Sequence, residues 1–230
     1  MKLSAITFVT GTDTDVGKTL TTAALAAMLA DGASVAVYKP TQTGVSPGGA
    51  GDMDEVARLS GVGTVFEGIR LLEPMAPVAA AVRENRPLPA LADHVDRIKE
   101  LAASYVHVLV EGAGGLLVEL DAEGHTLADL AAATRETART NMVVVCRSGL
   151  GTLNHTQLTL EALRHRGLPA AGLAIGSWPA SPSDIEQGNR GYLRGLGTPY
   201  LGSLPAGASQ LEPAAFRQLA PQWLRLPDGA

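Results

Sequence analysis

A doubly wound, mainly parallel α/β sheet with helices on both faces is the fold that the sequence predicts, on three observations. Short apolar, β-branched runs alternate with helix-like stretches, the signature of βαβ units. The runs "VHVLV" (106–110) and "MVVVC" (142–146) are apolar on both faces, as strands covered by helices on both sides are. The stretch "FVTGTDTDVGKTLTT" (8–22) joins a strand to a helix through a glycine-containing turn.

The elements follow in order. "AITFVTG" (5–11) reads as a strand and "GKTLTTAALAAMLADG" (17–32) as a helix closing on Gly32. "ASVAVYKP" (33–40) is a second strand, and Pro40 pushes Lys39 out of the helical region, to the extended end of that strand. Residues 41–51, "TQTGVSPGGAG", are Gly/Ser/Pro-rich and predict a mobile loop. "DMDEVARLSG" (52–61) is a short helix and "PALADHVDRIKELAASY" (89–105) a longer amphipathic one. "VHVLVEGAGG" (106–115) is a strand running into a glycine turn. "TLADLAAATRE" (126–136) is helical, "MVVVCR" (142–147) a strand, and "TLNHTQLTLEALRHRG" (152–167) a helix. "AAGLAIGSW" (170–178) and "TPYLGSLP" (198–205) are further strands.

Length and charge bound the function. A chain of 230 residues fits one domain, 1–230, with room for a sizeable core. The net charge of −5 argues against a broad grip on nucleic acid, leaving room for a local basic site. The single cysteine, Cys146, sits in an apolar run and is expected to be a buried, inert thiol. The five histidines have no zinc-like spacing. "Asn154-His155-Thr156" matches a glycosylation sequon, discounted because nothing indicates secretion. No secretory leader and no run near the roughly 18 apolar residues of a membrane helix are seen. A cytoplasmic protein is the expectation.

The chemistry gathers at strand ends. A phosphate-binding loop usually reads G-x-x-x-x-G-K-[ST], which would put its first glycine at Thr12; here Gly11 lies one residue early. The physical need is met all the same: converging backbone N–H groups, a helix N-terminus, a lysine and a hydroxyl for Mg²⁺. Asp15, Val16, Gly17, Lys18, Thr19 and Leu20 form the expected nucleotide cradle of a P-loop NTPase-like fold. Ligands of such sheets bind beyond the carboxyl ends of the strands. Lys39, Glu111 and the following Gly112, Ala113 and Gly114 all lie at such ends. Glu111, directly after an apolar strand, suits a metal or water ligand. Asp54 and Glu55 are either part of the site or charges that complement a helix dipole.

Together, "GTDTDVGKT", "YKPTQTG", "VEGAGGLLVEL" and "LGTLNHTQLTLEALR" resemble the dethiobiotin synthetases, from about residue 5 to about residue 206, with four motifs in the same order. The resemblance implies closure of a ureido ring from 7,8-diaminopelargonic acid and CO₂ (or bicarbonate), with ATP and Mg²⁺. It implies a carbamate, then a carbamic-phosphoric anhydride. Thr19, Asp52 and Glu111 would hold Mg²⁺, and Lys18 and Lys39 would offset the repulsion between carbamate and triphosphate. Thr43 would bind the carbamate, and Thr14 and Asp15 would lie beside the reacting nitrogens. Asp15 is ambiguous, since its charge attracts an ammonium and repels a carbamate. The segment Gly149, Leu150, Gly151, Thr152, Leu153 and Asn154 would hold the substrate carboxylate across a homodimer interface; read alone, it is a plain capped turn. Many members carry an asparagine that reads adenine after the strand equivalent to "GLAIG". Here Gly176-Ser177-Trp178-Pro179 stand there, so loose nucleobase selection is expected, with other nucleoside triphosphates supporting the reaction within about tenfold to a hundredfold of ATP. Trp178 is either a stacking surface or core. Backbone groups near Leu204, Pro205 and Ala206 remain as adenine readers.

Rival readings compete with this one, and the first of them shares the fold. A partition-type ATPase switch carries a second lysine five residues before the loop lysine, and here that residue is Asp13. An amidase-like synthetase of cobalamin assembly carries a glutamine-hydrolysing domain with a catalytic cysteine, for which this chain has no room. A passive nucleotide-binding module leaves Lys39, Thr43 and Asn154 unexplained.

Overall fold

A computed structural model describes residues 3–227; residues 1, 2 and 228–230, the outer ends of the expected single domain, lie outside the described residues. Among the described residues, seven strands form one parallel sheet: β1 (Ile6–Gly11), β2 (Val35–Gln42), β3 (Val65–Arg70), β4 (His107–Gly115), β5 (Thr140–Cys146), β6 (Ala170–Trp178) and β7 (Tyr200–Pro205), in the order β3-β2-β4-β1-β5-β6-β7. The helices are α1 (Lys18–Ala30), α2 (Asp52–Ser60), α3 (Pro77–Glu84), α4 (Leu91–Ser104), α5 (Leu127–Arg135), α6 (Thr152–His165), α7 (Asp184–Arg194) and α8 (Pro213–Trp223).

Strand alternation sends successive apolar residues to opposite faces. Val108 and Val110 of β4 join Phe8, Met142 and Val144 in a core with α4, α5 and α6. Leu109, between them, joins Val9, Val143 and Val145 in a second core with α1, α2 and α8. Burial on both faces accounts for the unbroken apolar runs. Cys146 is fully buried, as expected, and burial pushes its thiol up to about 12.

Four elements escape the sequence reading: β3, α3, α7 and α8. Two boundaries also move. β2 runs through Pro40 to Gln42, and β4 runs through the glycines to Gly115. Pro40 is tolerated because pairing of β2 with β4 ends at Tyr38, so no ladder donor is lost on that side. Lys39 is therefore inside the strand, paired with Glu67 of β3.

Candidate active site

The turn between β1 and α1 is built on two left-handed residues. Asp15 has φ 55° and Gly17, the N-cap of α1, has φ 92°. An ideal Cβ on Gly17 would lie 2.5 Å from the Gly176 carbonyl oxygen, so only glycine fits there. The α1 N-terminus has no side-chain cap and no acidic residue in its first turn. Its N–H groups and its dipole suit an anion. Lys18 folds back and donates to the Asp13 carbonyl at 3.1 Å. Burial, the largest effect, holds its pKa below the ordinary value, against the pull of Glu111.

Beside this turn lies a cavity of about 420 Å³ lined by Thr14, Asp15, Lys18, Lys39, Thr43 and Asp52, with Gly17, Thr19, Leu20, Gln42, Ala113 and Gly114 completing its wall. At its floor four side chains from four elements meet. Lys39 Nζ is 2.9 Å from Glu111 Oε1 and 2.7 Å from Asp52 Oδ2. Thr19 Oγ1 donates to the same Glu111 oxygen at 3.0 Å. Burial alone would push the Lys39 ammonium down, but Glu111 and Asp52 more than reverse that and raise its pKa. Glu111 is fully buried and its second oxygen, Oε2, has no hydrogen-bond partner. A buried carboxylate oxygen without a partner is costly unless something is meant to meet it. The donor set, the Thr19 hydroxyl and the Asp52 and Glu111 carboxylates with that orphaned oxygen, fits the hard oxygen ligands that Mg²⁺ takes.

The flanking residues divide clearly. Gly112 gives its carbonyl to Lys39 at 3.4 Å, while a Cβ on it would strike Leu127 at 2.5 Å. Asp54 accepts from the Gly51 N–H and pairs with Arg70, and Glu55 pairs with Arg58, so both are structural. Val16 is buried in the core, so its side chain is not offered to the cavity.

Gly176 reaches the site from below: an ideal Cβ there would lie 2.1 Å from the Val16 carbonyl oxygen. Ser177 is exposed. Trp178 has one face covered by the Arg190 guanidinium, 4.0 Å from the ring centroid, and packs against the core. Leu204 is buried, and the Ala206 N–H is spent on the Trp178 carbonyl, so that donor is taken. Pro205, which carries no N–H, pairs with Trp178 in the sheet.

Residues 149–154 lie away from this cavity's lining. Gly151, at φ 86°, is the N-cap of α6, with no side-chain cap and no acidic residue in the first turn. Leu150 is 76% exposed and Asn154 is exposed. Asn189 of α7 pins the segment by donating to the Ser148 and Gly149 carbonyls at 2.8 and 3.0 Å. Asp13 accepts from Arg147 at 2.5 Å, so the residue that replaces a switch lysine is held within the chain. Asn189 and Arg147 were missed because their partners lie far along the chain, and Gln42, although it stands within "YKPTQTG", because it bonds only to backbone groups, which no motif records.

Fold and site define a nucleoside triphosphate-binding protein of the phosphate-loop class. A family profile described as an AAA domain matches residues 6–214. The chain is 52% identical to the ATP-dependent dethiobiotin synthetase BioD of Rhodococcus jostii, over 95% of this chain and 94% of that protein. It is 50% identical to the enzyme of the same name from Streptomyces coelicolor, over 95% of this chain and 91% of that one. On these matches the chain belongs to the dethiobiotin synthetase family. Among solved structures, chloroplast FtsY from Physcomitrella patens overlays 94% of this chain and 64% of its own, with a TM-score of 0.50 and 15% identity, a likeness of fold alone.

Proposed function

We propose that this protein closes the ureido ring of dethiobiotin from 7,8-diaminopelargonic acid, CO₂ and ATP, using the cavity between α1, β2, α2 and β4. The observation that carries the reading is the Lys39–Asp52–Glu111–Thr19 cluster beside a phosphate loop, with its orphaned Glu111 oxygen. One substrate amine adds to CO₂ to form a carbamate. A carbamate oxygen attacks the γ-phosphorus and ADP leaves. The second amine then attacks the carbonyl carbon, and inorganic phosphate leaves as the ring closes.

Each chain residue has a task in that sequence. Lys18 and the α1 N-terminus hold the triphosphate, and Lys39 offsets the meeting of two anions and the charge that grows as phosphate transfers. Thr43 binds the carbamate, Thr14 lies beside the reacting amines, and Asp15 attracts the one still present as an ammonium. Thr19, Asp52 and Glu111 would hold Mg²⁺, which when bound neutralises phosphate oxygens. The uncapped start of α6, with Asn154, takes the carboxylate tail of the substrate on a second copy of the chain. The protein is then a single-domain homodimer working in the cytoplasm on small molecules, with no nucleic acid or membrane partner. Asp13, an anion tied to Arg147, disfavours the partition-type switch, which needs a cation there.

The test is direct. Incubation with diaminopelargonate, bicarbonate, Mg²⁺ and ATP is expected to yield dethiobiotin by mass, with ADP and phosphate in equal amount. ATP hydrolysis without dethiobiotin would overturn the reading.

A further inference from the structure

We infer that Gln42 is a positioning residue that fixes the metal-side and substrate-side halves of the site to one another, an inference that rests on the proposed roles of Asp52 and Thr43. Gln42 is the last residue of β2, 4% exposed, and lines the cavity. Its Oε1 accepts from the Asp52 N–H at 2.9 Å. Its Nε2 donates to the Thr43 carbonyl at 2.9 Å. Its own carbonyl accepts from the Leu71 N–H at 2.8 Å, which ties the strand end down.

That side chain performs a task the local sequence leaves undone. The first N–H groups of a helix have no partners within it. The N-cap of α2 is Gly51, which has no side chain to offer, so the Asp52 N–H is satisfied from ten residues away. A Cβ on Gly51 would lie 3.1 Å from Gln42 Oε1, 3.0 Å from the Arg70 guanidinium and 3.2 Å from the Glu67 carboxylate, so a larger residue at that cap would crowd the end of the Gln42 side chain. Between Thr43 and Asp52 the chain has two left-handed glycines, Gly44 and Gly48, and mostly exposed residues. The ends of this loop are tied separately, the Gly44 N–H to the Glu73 carbonyl at 3.1 Å and the Gly49 carbonyl to Arg70 at 2.8 Å, and neither of those bonds joins one end to the other. With one amide, Gln42 closes both ends, so that the Asp52 carboxylate stays 2.7 Å from Lys39 while Thr43 keeps its place at the cavity wall.

The amide's two arms are separable. Gln42→Ala removes both. Gln42→Glu keeps an oxygen that accepts from the Asp52 N–H, but sets a carboxylate oxygen against the Thr43 carbonyl, where no donor remains. Two quantities read the arms: the Mg²⁺ concentration that half-saturates ADP binding, by calorimetry without turnover, and the KM for diaminopelargonate. Gln42→Ala is expected to raise both, by about tenfold to a hundredfold, the usual cost of losing a group that orients a metal ligand. Gln42→Glu is expected to keep the Mg²⁺ midpoint near the parent's while the diaminopelargonate KM stays raised. A residue that merely supported folding would lower the active fraction and the thermal midpoint without this split. Parent-like values of both quantities in Gln42→Ala, or a joint loss in Gln42→Glu, would overturn the inference. If Gln42→Ala fails to fold, the split or its absence in Gln42→Glu decides. A parent that forms no dethiobiotin, with the Mg²⁺ midpoint still shifted in Gln42→Ala, would instead remove the ring-closing reading.

Discussion

Lys39 and Glu111 form a buried ion pair, Nζ to Oε1 at 2.9 Å, in which the lysine is 3% exposed and the glutamate not at all. The pair sits where the phosphate loop, β2 and β4 converge. Lys39 is thus the standing counter-charge of a carboxylate that has a further oxygen to give. Lys39→Ala is expected to lower kcat by about 10²–10³ with a smaller change in KM, since a cation facing charge that grows in the transition state acts on turnover. Lys18→Ala weakens nucleotide binding as well. Steady-state kinetics with calorimetric ADP binding separates the two, and a near-normal kcat in the Lys39 variant would remove it from the catalytic group.

Glu111→Gln and Asp52→Asn each exchange a carboxylate for a neutral amide, a poorer ligand for a hard cation. Each is expected to raise the Mg²⁺ needed for half-maximal activity by about tenfold or more. Mg²⁺ titrations that overlay the parent's would show that the ligands are elsewhere.

Asn154→Ala is expected to raise the KM for diaminopelargonate by about tenfold or more, the cost of a hydrogen bond to a charged group. Nucleotide affinity stays unchanged, because residues 149–154 do not line the phosphate cavity. The sedimenting species should be a dimer under assay conditions. A fully active monomer would contradict a site shared between copies.

Nucleobase selection should be loose. At the reader's place the chain has Gly176 and an exposed Ser177, and Trp178 already carries Arg190 on one face. The triphosphate grip does not depend on the base. GTP, CTP and UTP are expected to support ring closure within about tenfold to a hundredfold of ATP in kcat/KM. A preference for ATP beyond about a thousandfold (roughly 4 kcal/mol) over all three would refute this.

Stability should fall in mild acid through His94. This residue is 1% exposed, accepts or donates at Nδ1 to the Tyr38 hydroxyl at 2.6 Å, and has no partner at Nε2. Burial lowers its pKa below 6.5, so the unfolded chain takes up the proton first. Stability is then lost as pH drops below that unfolded value. The His125–Asp121 contact works in another window: Asp121 raises the His125 pKa, so its contribution is full below 6.5 and fades above it. Denaturant midpoints from pH 7 to pH 5 should drop for the parent and much less for His94→Gln. Equal slopes would exclude His94 as the source.

Much of the fold was legible because β-branched runs and a phosphate loop are local signals. β1, β2, β4 and β5 declare themselves this way, and β6 and β7 by short apolar runs. β3, "VFEGIR", does not: it is an edge strand with one partner and carries Glu67, Gly68 and Arg70. α7 and α8 hold glycine or proline inside them, which mutes the helical pattern. Of the site, Lys18, Lys39, Thr19, Asp52 and Glu111 were recognisable, and the structure brings their side chains together. Gln42 and Asn189 were not, because each serves backbone groups, at distances of 1 and 10 residues for the one and of 40 and 41 for the other, and no spacing rule encodes that.

The 2.1 Å approach that a Cβ on Gly176 would make to the Val16 carbonyl has a bearing on how this enzyme can change. An asparagine placed at 176 to read adenine would have to displace the strand beneath the phosphate loop before it touched a base. Tighter fuel choice is therefore not one mutation away at that position. A lineage, or a designer, would have to reshape the turn from Val16 to Gly17 in the same step, at the risk of the grip on triphosphate itself. Ser177, which is exposed, is the neighbouring position from which a new side chain can be tried without that toll.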